Sequence, residues 1–134
     1  MKRLDTRRFG WLRATAGAAS VEFAIIAMVA IATLLGVIEF GRAMDVRNQM
    51  AQAIDFGARK ILLNPAATDA EITAAIKSAF YRGKAADLNV AAPVSETVNG
   101  RQYKVLQATY PFSLVIPGLG SPINLQVLRR VPVL

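Results

Sequence analysis

The sequence predicts an α+β chain: a long N-terminal transmembrane and stalk helix, then a small antiparallel-sheet head with one short helix. Three observations predict it. Residues 18–38 form an apolar run with a single charge, and a helical spacing of apolar residues continues from it to Leu63. Beyond Pro65, a capping-box pattern precedes two alternating stretches joined by Asn99-Gly100. The expected divisions are a basic leader over 1–17, a transmembrane helix over 18–41, an amphipathic helical stalk over 42–63, and a small α+β head over 64–134.

Composition narrows the function. Of the 134 residues, 54% are hydrophobic and 19% charged, and the mean hydropathy is +0.36, too oily for an ordinary soluble domain. Histidine and cysteine are both absent. Their absence excludes Ser/His/Asp and Cys/His nucleophilic sites, Cys/His metal sites, thiol redox chemistry and disulfides. The acids Asp69, Glu71, Asp87 and Glu96 are too scattered for a paired-carboxylate site, and no phosphate-binding or calcium-binding motif occurs. The expectation is therefore a protein that is not an enzyme, with no catalytic residue, no cofactor and no metal.

The net charge of +7 is unevenly placed. Lys2, Arg3, Arg7, Arg8 and Arg13 stand against Asp5, so the first seventeen residues carry +4. The basic cluster is confined to a terminal tail with one aromatic, Trp11, for stacking, so no nucleic-acid partner is expected. As a helix, Ala18 to Ile38 spans roughly 31 Å, the hydrocarbon thickness of a bilayer. A globular core is the other home for such a helix, but fewer than a hundred further residues cannot surround it on all sides. A secretory signal also begins basic and then apolar, and Ala30-Ile31-Ala32 has the form of a signal-peptidase site. That site lies inside the run, however, which exceeds the usual length of about 7–15 residues for a signal core. The basic end stays in the cytoplasm, giving an N-in, C-out single pass that sends the residues after about Phe40 to the other side.

Glu22 does not fit a plain anchor. A carboxylate within a membrane helix costs roughly 2.5–3.5 kcal/mol near the bilayer centre and less near the interface. Two explanations fit its position: the carboxylate reaches back to the headgroups, or a partner cation arrives by cleavage or from another subunit.

Gly17-Ala18-Ala19-Ser20-Val21-Glu22-Phe23, after a basic leader and before an apolar helix, resembles the processing site of type IV prepilin-like proteins. The acid-aromatic pair Glu22-Phe23 is similar to that of Tad (tight adherence) pilus systems. The longer stretch from Gly17 to Arg42, with its second element Glu39-Phe40-Gly41-Arg42, resembles TadE-like proteins of the Tad/Flp type IVb pilus. It lacks the proline common in the middle of TadE-like segments, so TadE and TadF types both remain open.

The resemblance implies a processing site at Gly17, Ala18, Glu22 and Phe23, cut by a prepilin peptidase after Gly17. It also implies assembly contacts through Ala18, Val21, Glu22, Phe23, Ile25 and Ile26. Cleavage would place a charged amine on Ala18 about 6 Å along the helix from Glu22. That amine answers Glu22 of the same chain or, as in pilins, of a neighbour. Major Tad pilins have little beyond the apolar helix, so the extra head implies a minor pilin or pseudopilin. The implied partners are inner-membrane lipid, the peptidase, other pilin and minor pilin subunits and the Tad assembly machinery. The implied roles are adhesion and biofilm formation, with the assembled protein outside the cell. The rival expectation is an uncleaved single-pass anchor whose head binds a periplasmic partner.

Past Arg42, Val46, Met50, Ile54, Gly57 and Ile61 recur at helical spacing, Asp55 and Arg59 form an acid-before-base i,i+4 pair, and Asn64-Pro65 stops the helix. Thr68 and Glu71 open a short helix through about Tyr81, with Ile72, Ile76, Ala79 and Phe80 on its buried face and Gly83 as its end. Strands over 87–98 and 101–112 turn at Asn99-Gly100, and a third runs from Ile123 to about Val131 after the Pro117–Pro122 loop. Tyr103, Tyr110 and Phe112 are assigned to the sheet.

Overall fold

A computed structural model describes residues 10–115 and 121–133, with side chains from Gly17 onward. The expected leader bases, Trp11 and the 117–120 part of the loop lie outside the described side chains. The chain divides into two compact units, one ending at Ile38 and one running from Glu39 to Leu134. Helix α1 covers Gly10–Leu63 and α2 Asp69–Ala79; the strands are β1 Asn89–Val90, β2 Val94–Val98, β3 Arg101–Phe112 and β4 Ile123–Pro132.

In the first unit the chain is helical, and its large apolar side chains face outward in all directions. Val21, Met28, Ile31, Leu34 and Val37 are each more than half exposed. This part of α1 is long and apolar enough to cross a membrane, and none of the apolar window is buried within the protein.

The second unit is helix on sheet. Val46, Met50, Ala53, Ile54 and Ile61 of α1 join Ile72 and Ile76 of α2, together with Phe80, Leu88, Leu106, Ala108, Phe112 and Val131, in one core. The helical spacing seen in the sequence is therefore the buried stripe of α1. At Gly57 a Cβ would overlap Ile76, so the missing side chain is what lets α2 approach α1 closely.

Thr68 caps α2 as expected. Its hydroxyl accepts from the Glu71 amide at 3.3 Å, and the Glu71 carboxylate accepts from the Thr68 amide at 2.9 Å. The helix ends at Ala79 rather than near Tyr81 or Gly83. Phe80 is already extended (φ −92°, ψ 112°), and the amides of Tyr81 and Arg82 donate instead to Oε1 of Gln49, at 3.0 and 3.3 Å. Gly83 has another use: a Cβ there would collide with the ring and hydroxyl of Tyr110.

The sheet is antiparallel, with β3 central, β1 and β2 along one side and β4 along the other. Asn99 and Gly100 both take positive φ, 51° and 76°, as the two-residue turn requires. The expected 87–98 strand is broken. Ala91 donates to Gln107, while Val94 lies opposite Val105, so Ala92 and Pro93 together oppose Leu106. That is a β-bulge, placed where proline has no N–H to offer the ladder. The expected ion pair of Asp55 with Arg59 gives way to a longer-range one. Asp55 accepts from Nε and Nη2 of Arg129 on β4 at 2.7 and 2.8 Å, because Asp55 sits beside the sheet and a paired guanidinium fork outcompetes a flexible helix neighbour.

Two predictions follow from this packing. Gly57→Ala should destabilise the head by about 1–3 kcal/mol through overpacking, and Ile76→Val in the same chain should recover part of the loss, read by thermal unfolding in detergent micelles. The two hydrogen bonds from Thr68, its backbone amide foremost, hold the Glu71 carboxyl below the ordinary glutamate value of 4.5. A lowered folded-state pKa stabilises above the ordinary value, and the contribution disappears as pH falls through the lowered one. Glu71→Gln, which keeps an acceptor but cannot titrate, should show a shallower decline of Tm on acidification below about pH 4.5.

Candidate processing and assembly site

A helix turns successive residues by about 100°, so Ala18, Glu22, Ile25 and Val29 share one face of α1, Val21 and Ile26 flank it, and Phe23 lies toward the opposite side. All of the expected contact residues are exposed: Val21 to 61%, Phe23 to 72%, Ile25 to 59% and Ile26 to 66%. Glu22 is exposed too, and among the described residues no cation meets it. The side chains that define the site are thus largely exposed, and none of them joins the hydrophobic core.

Gly17 lies inside the helix, and a Cβ built on it would meet nothing within 4 Å. Glycine in a helix interior costs up to about 1 kcal/mol relative to alanine. Among the described residues neither packing nor backbone geometry gives a reason for it.

The second acid-aromatic-glycine element is built differently. Glu39 is 7% exposed, and both its oxygens accept from Nη1 of Arg42 at 2.8 Å. The Arg42 guanidinium in turn lies over the Phe112 ring, 5.4 Å from its centroid, while Phe40 remains 64% exposed. The motif therefore buries an acid that is neutralised within one helical turn and tied to the end of β3. Residues 17–59 match the family model of TadE-like proteins. The match runs through nearly all of α1 from Gly17 and takes in both acid-aromatic elements. TadE-like proteins are Tad pilus components, pilin-like structural proteins rather than a known enzyme family. No curated protein and no solved structure matches the chain.

Two structural residues of the TadE-like segment escaped sequence reasoning. Gln49 is 4% exposed and accepts two amides from the segment after α2; the only signal for it was a polar residue falling between Val46 and Ala53 on the buried stripe. Arg42 was visible as part of a motif, but its stacking partner lies seventy residues away. Among the described residues no group of side chains could hold a metal ion.

Arg42→Ala leaves the Glu39 carboxylate buried and unmatched, and should destabilise the head by about 1–3 kcal/mol. Adding Glu39→Gln to that variant removes the stranded charge and should restore part of the stability, measured as the denaturant midpoint in micelles. Equal losses in the single and double variants would mean that the packing of Arg42 on Phe112, and not charge matching, carries the effect.

Proposed function

We propose that the chain is the precursor of a minor pilin or pseudopilin of a Tad-type (type IVb) adhesive pilus, cut by a prepilin peptidase after Gly17. The observation that carries this reading is an apolar helix exposed on all sides, with Glu22, a carboxylate that meets no cation among the described residues, five residues beyond Gly17, a glycine that no described contact requires. In the membrane, lipid covers the helix. In the filament, neighbouring helices take its place, with Val21, Phe23, Ile25 and Ile26 as contacts.

Peptide-bond hydrolysis after Gly17 frees an amine on Ala18, which is protonated at neutral pH and matches Glu22 in its own chain or a neighbour. A carboxylate in hydrocarbon is costly unless paired, so the pair fixes axial register between subunits. For the peptidase to reach the bond, the helix around Gly17 must open to an extended strand, and glycine lowers the cost of that opening. The chain is then held N-in in the inner membrane with its head in the periplasm until assembly, and adhesion and biofilm formation follow from the pilus.

Mass spectrometry of the chain from cells with active prepilin peptidase should find a mature N-terminus at Ala18. Glu22→Val, though friendlier to lipid, should still be cleaved but should lower its recovery in isolated pili. An intact chain beginning at Met1 in those cells would overturn the precursor reading in favour of an uncleaved single-pass anchor.

A further inference from the structure

The register of β3 and β4 fixes which backbone groups of β4 are free. Val133 donates to Gln102 directly opposite it, so in the antiparallel ladder the odd residues of β4 bond to β3 and the even ones point away. Asn124, Gln126, Leu128 and Arg130 thus present four N–H groups on the outer edge of β4. None of them meets a backbone acceptor among the described residues. Pro122 and Pro132, which have no N–H, bracket this stretch. A ten-residue edge with its donors free is an uncommon thing to leave uncovered, since such edges pair readily with other chains.

Beside that edge lies a crevice of about 210 Å³ between α1 and β4, lined by Arg47, Ala51, Ile54, Val127, Leu128 and Arg129. Arg47, Ala51 and Asp55 follow one another at four-residue intervals along α1, and the small Ala51 leaves the gap. Arg129 is already taken by Asp55, whereas Arg47 is exposed and has no acidic partner among the described residues. Residues 39–134 hold eleven bases and seven acids, so the field around the crevice favours an acidic visitor.

We propose that the outer edge of β4 is a docking site for an extended acidic strand of a partner protein. That strand adds to the sheet through the amides of residues 124, 126, 128 and 130. Its side chains alternate, so those on the helix side meet the crevice: an apolar one fills the space over Ala51, and a carboxylate two residues along reaches Arg47. Main-chain bonds supply the general attraction, while the crevice and Arg47 select the sequence.

The test uses the full chain in detergent micelles and a blocked synthetic peptide, Thr-Val-Thr-Glu-Thr-Val-Thr, whose valines and glutamate share one face, with a control carrying lysine for glutamate. Amide hydrogen exchange should slow about tenfold or more at residues 124, 126, 128 and 130 on adding the acidic peptide, with the odd residues of β4 unchanged. Arg47→Glu should weaken the acidic peptide about tenfold, the effect of one charged contact, and make the lysine peptide the better ligand. Gln126→Pro removes an outward donor without touching the β3 ladder and should abolish binding. Unchanged exchange at saturating peptide, or an Arg47→Glu chain with unaltered preference, overturns the proposal. Protection that needs no peptide and rises with protein concentration also overturns it, in favour of a second copy of this chain on the edge.

Discussion

Twenty-one residues from Ala18 to Ile38 turn apolar side chains outward on every side of a helix, and the chain itself covers none of them. Burying a Val, Leu, Ile, Phe or Met side chain fully is worth roughly 1.5–3 kcal/mol, so the eleven such residues of this run represent a driving force larger than the whole stability of a typical domain. That force must be met outside the chain, by lipid or by other helices. Everything else about the N-terminal unit follows from it, including the significance of Glu22. A charge placed among groups that all seek an apolar partner is tolerated only where something of opposite sign accompanies it, and among the described residues no cation does so.

The second unit answers a different demand. Its core closes on itself, its buried polar groups are satisfied, and its long-range ion pairs tie helix to sheet and strand to strand: Asp55 with Arg129, and Glu96 with Arg130, at 3.0 Å across the outer face. Glu39 marks the changeover. One residue after the apolar run ends, an acid appears that is buried and matched within its own helix by Arg42. Glu22 and Glu39 are thus two carboxylates in similar sequence settings, each followed by phenylalanine, with opposite fates. Glu39 is settled by folding, whereas Glu22 stays exposed and meets no cation among the described residues.

Local rules made much of this legible in the sequence. The α1 stripe, the Thr68–Glu71 box and the Asn99-Gly100 turn each depend on residues within a few positions of one another, and each stands where the pattern put it. The features that sequence reading missed depend on contacts between distant segments. The bulge at Ala92-Pro93 is defined only by what lies opposite on β3. Gln49 is understood only once the segment after α2 arrives beside it, and that arrival also ends α2 early. Asp55 had a plausible helix neighbour in Arg59, but the sheet brought a better-oriented guanidinium from seventy-four residues away. In the N-terminal unit, periodicity and charge predicted the apolar helix and the residues on its surface, because there the chain makes few contacts with itself that could override them.

The glycines separate the two regimes physically. Gly57 and Gly83 are spaces that a neighbouring side chain of the same protein occupies, by Ile76 and by Tyr110. Gly17, Gly36 and Gly41 have open space where a Cβ would stand, although each weakens the helix by up to about 1 kcal/mol relative to alanine. A cost incurred three times in one helix, with no return inside the chain, points to contacts or conformations outside the folded monomer. For Gly36 and Gly41, close approach of a neighbouring helix supplies such a contact, since small residues let backbones pack tightly in the membrane. For Gly17 the proposed cleavage would supply a conformational return, an easier passage from helix to the extended strand a protease requires. The same reasoning that assigns Gly57 to the fold therefore finds no packing role for these three among the described residues, and the proposed processing and assembly would give them one.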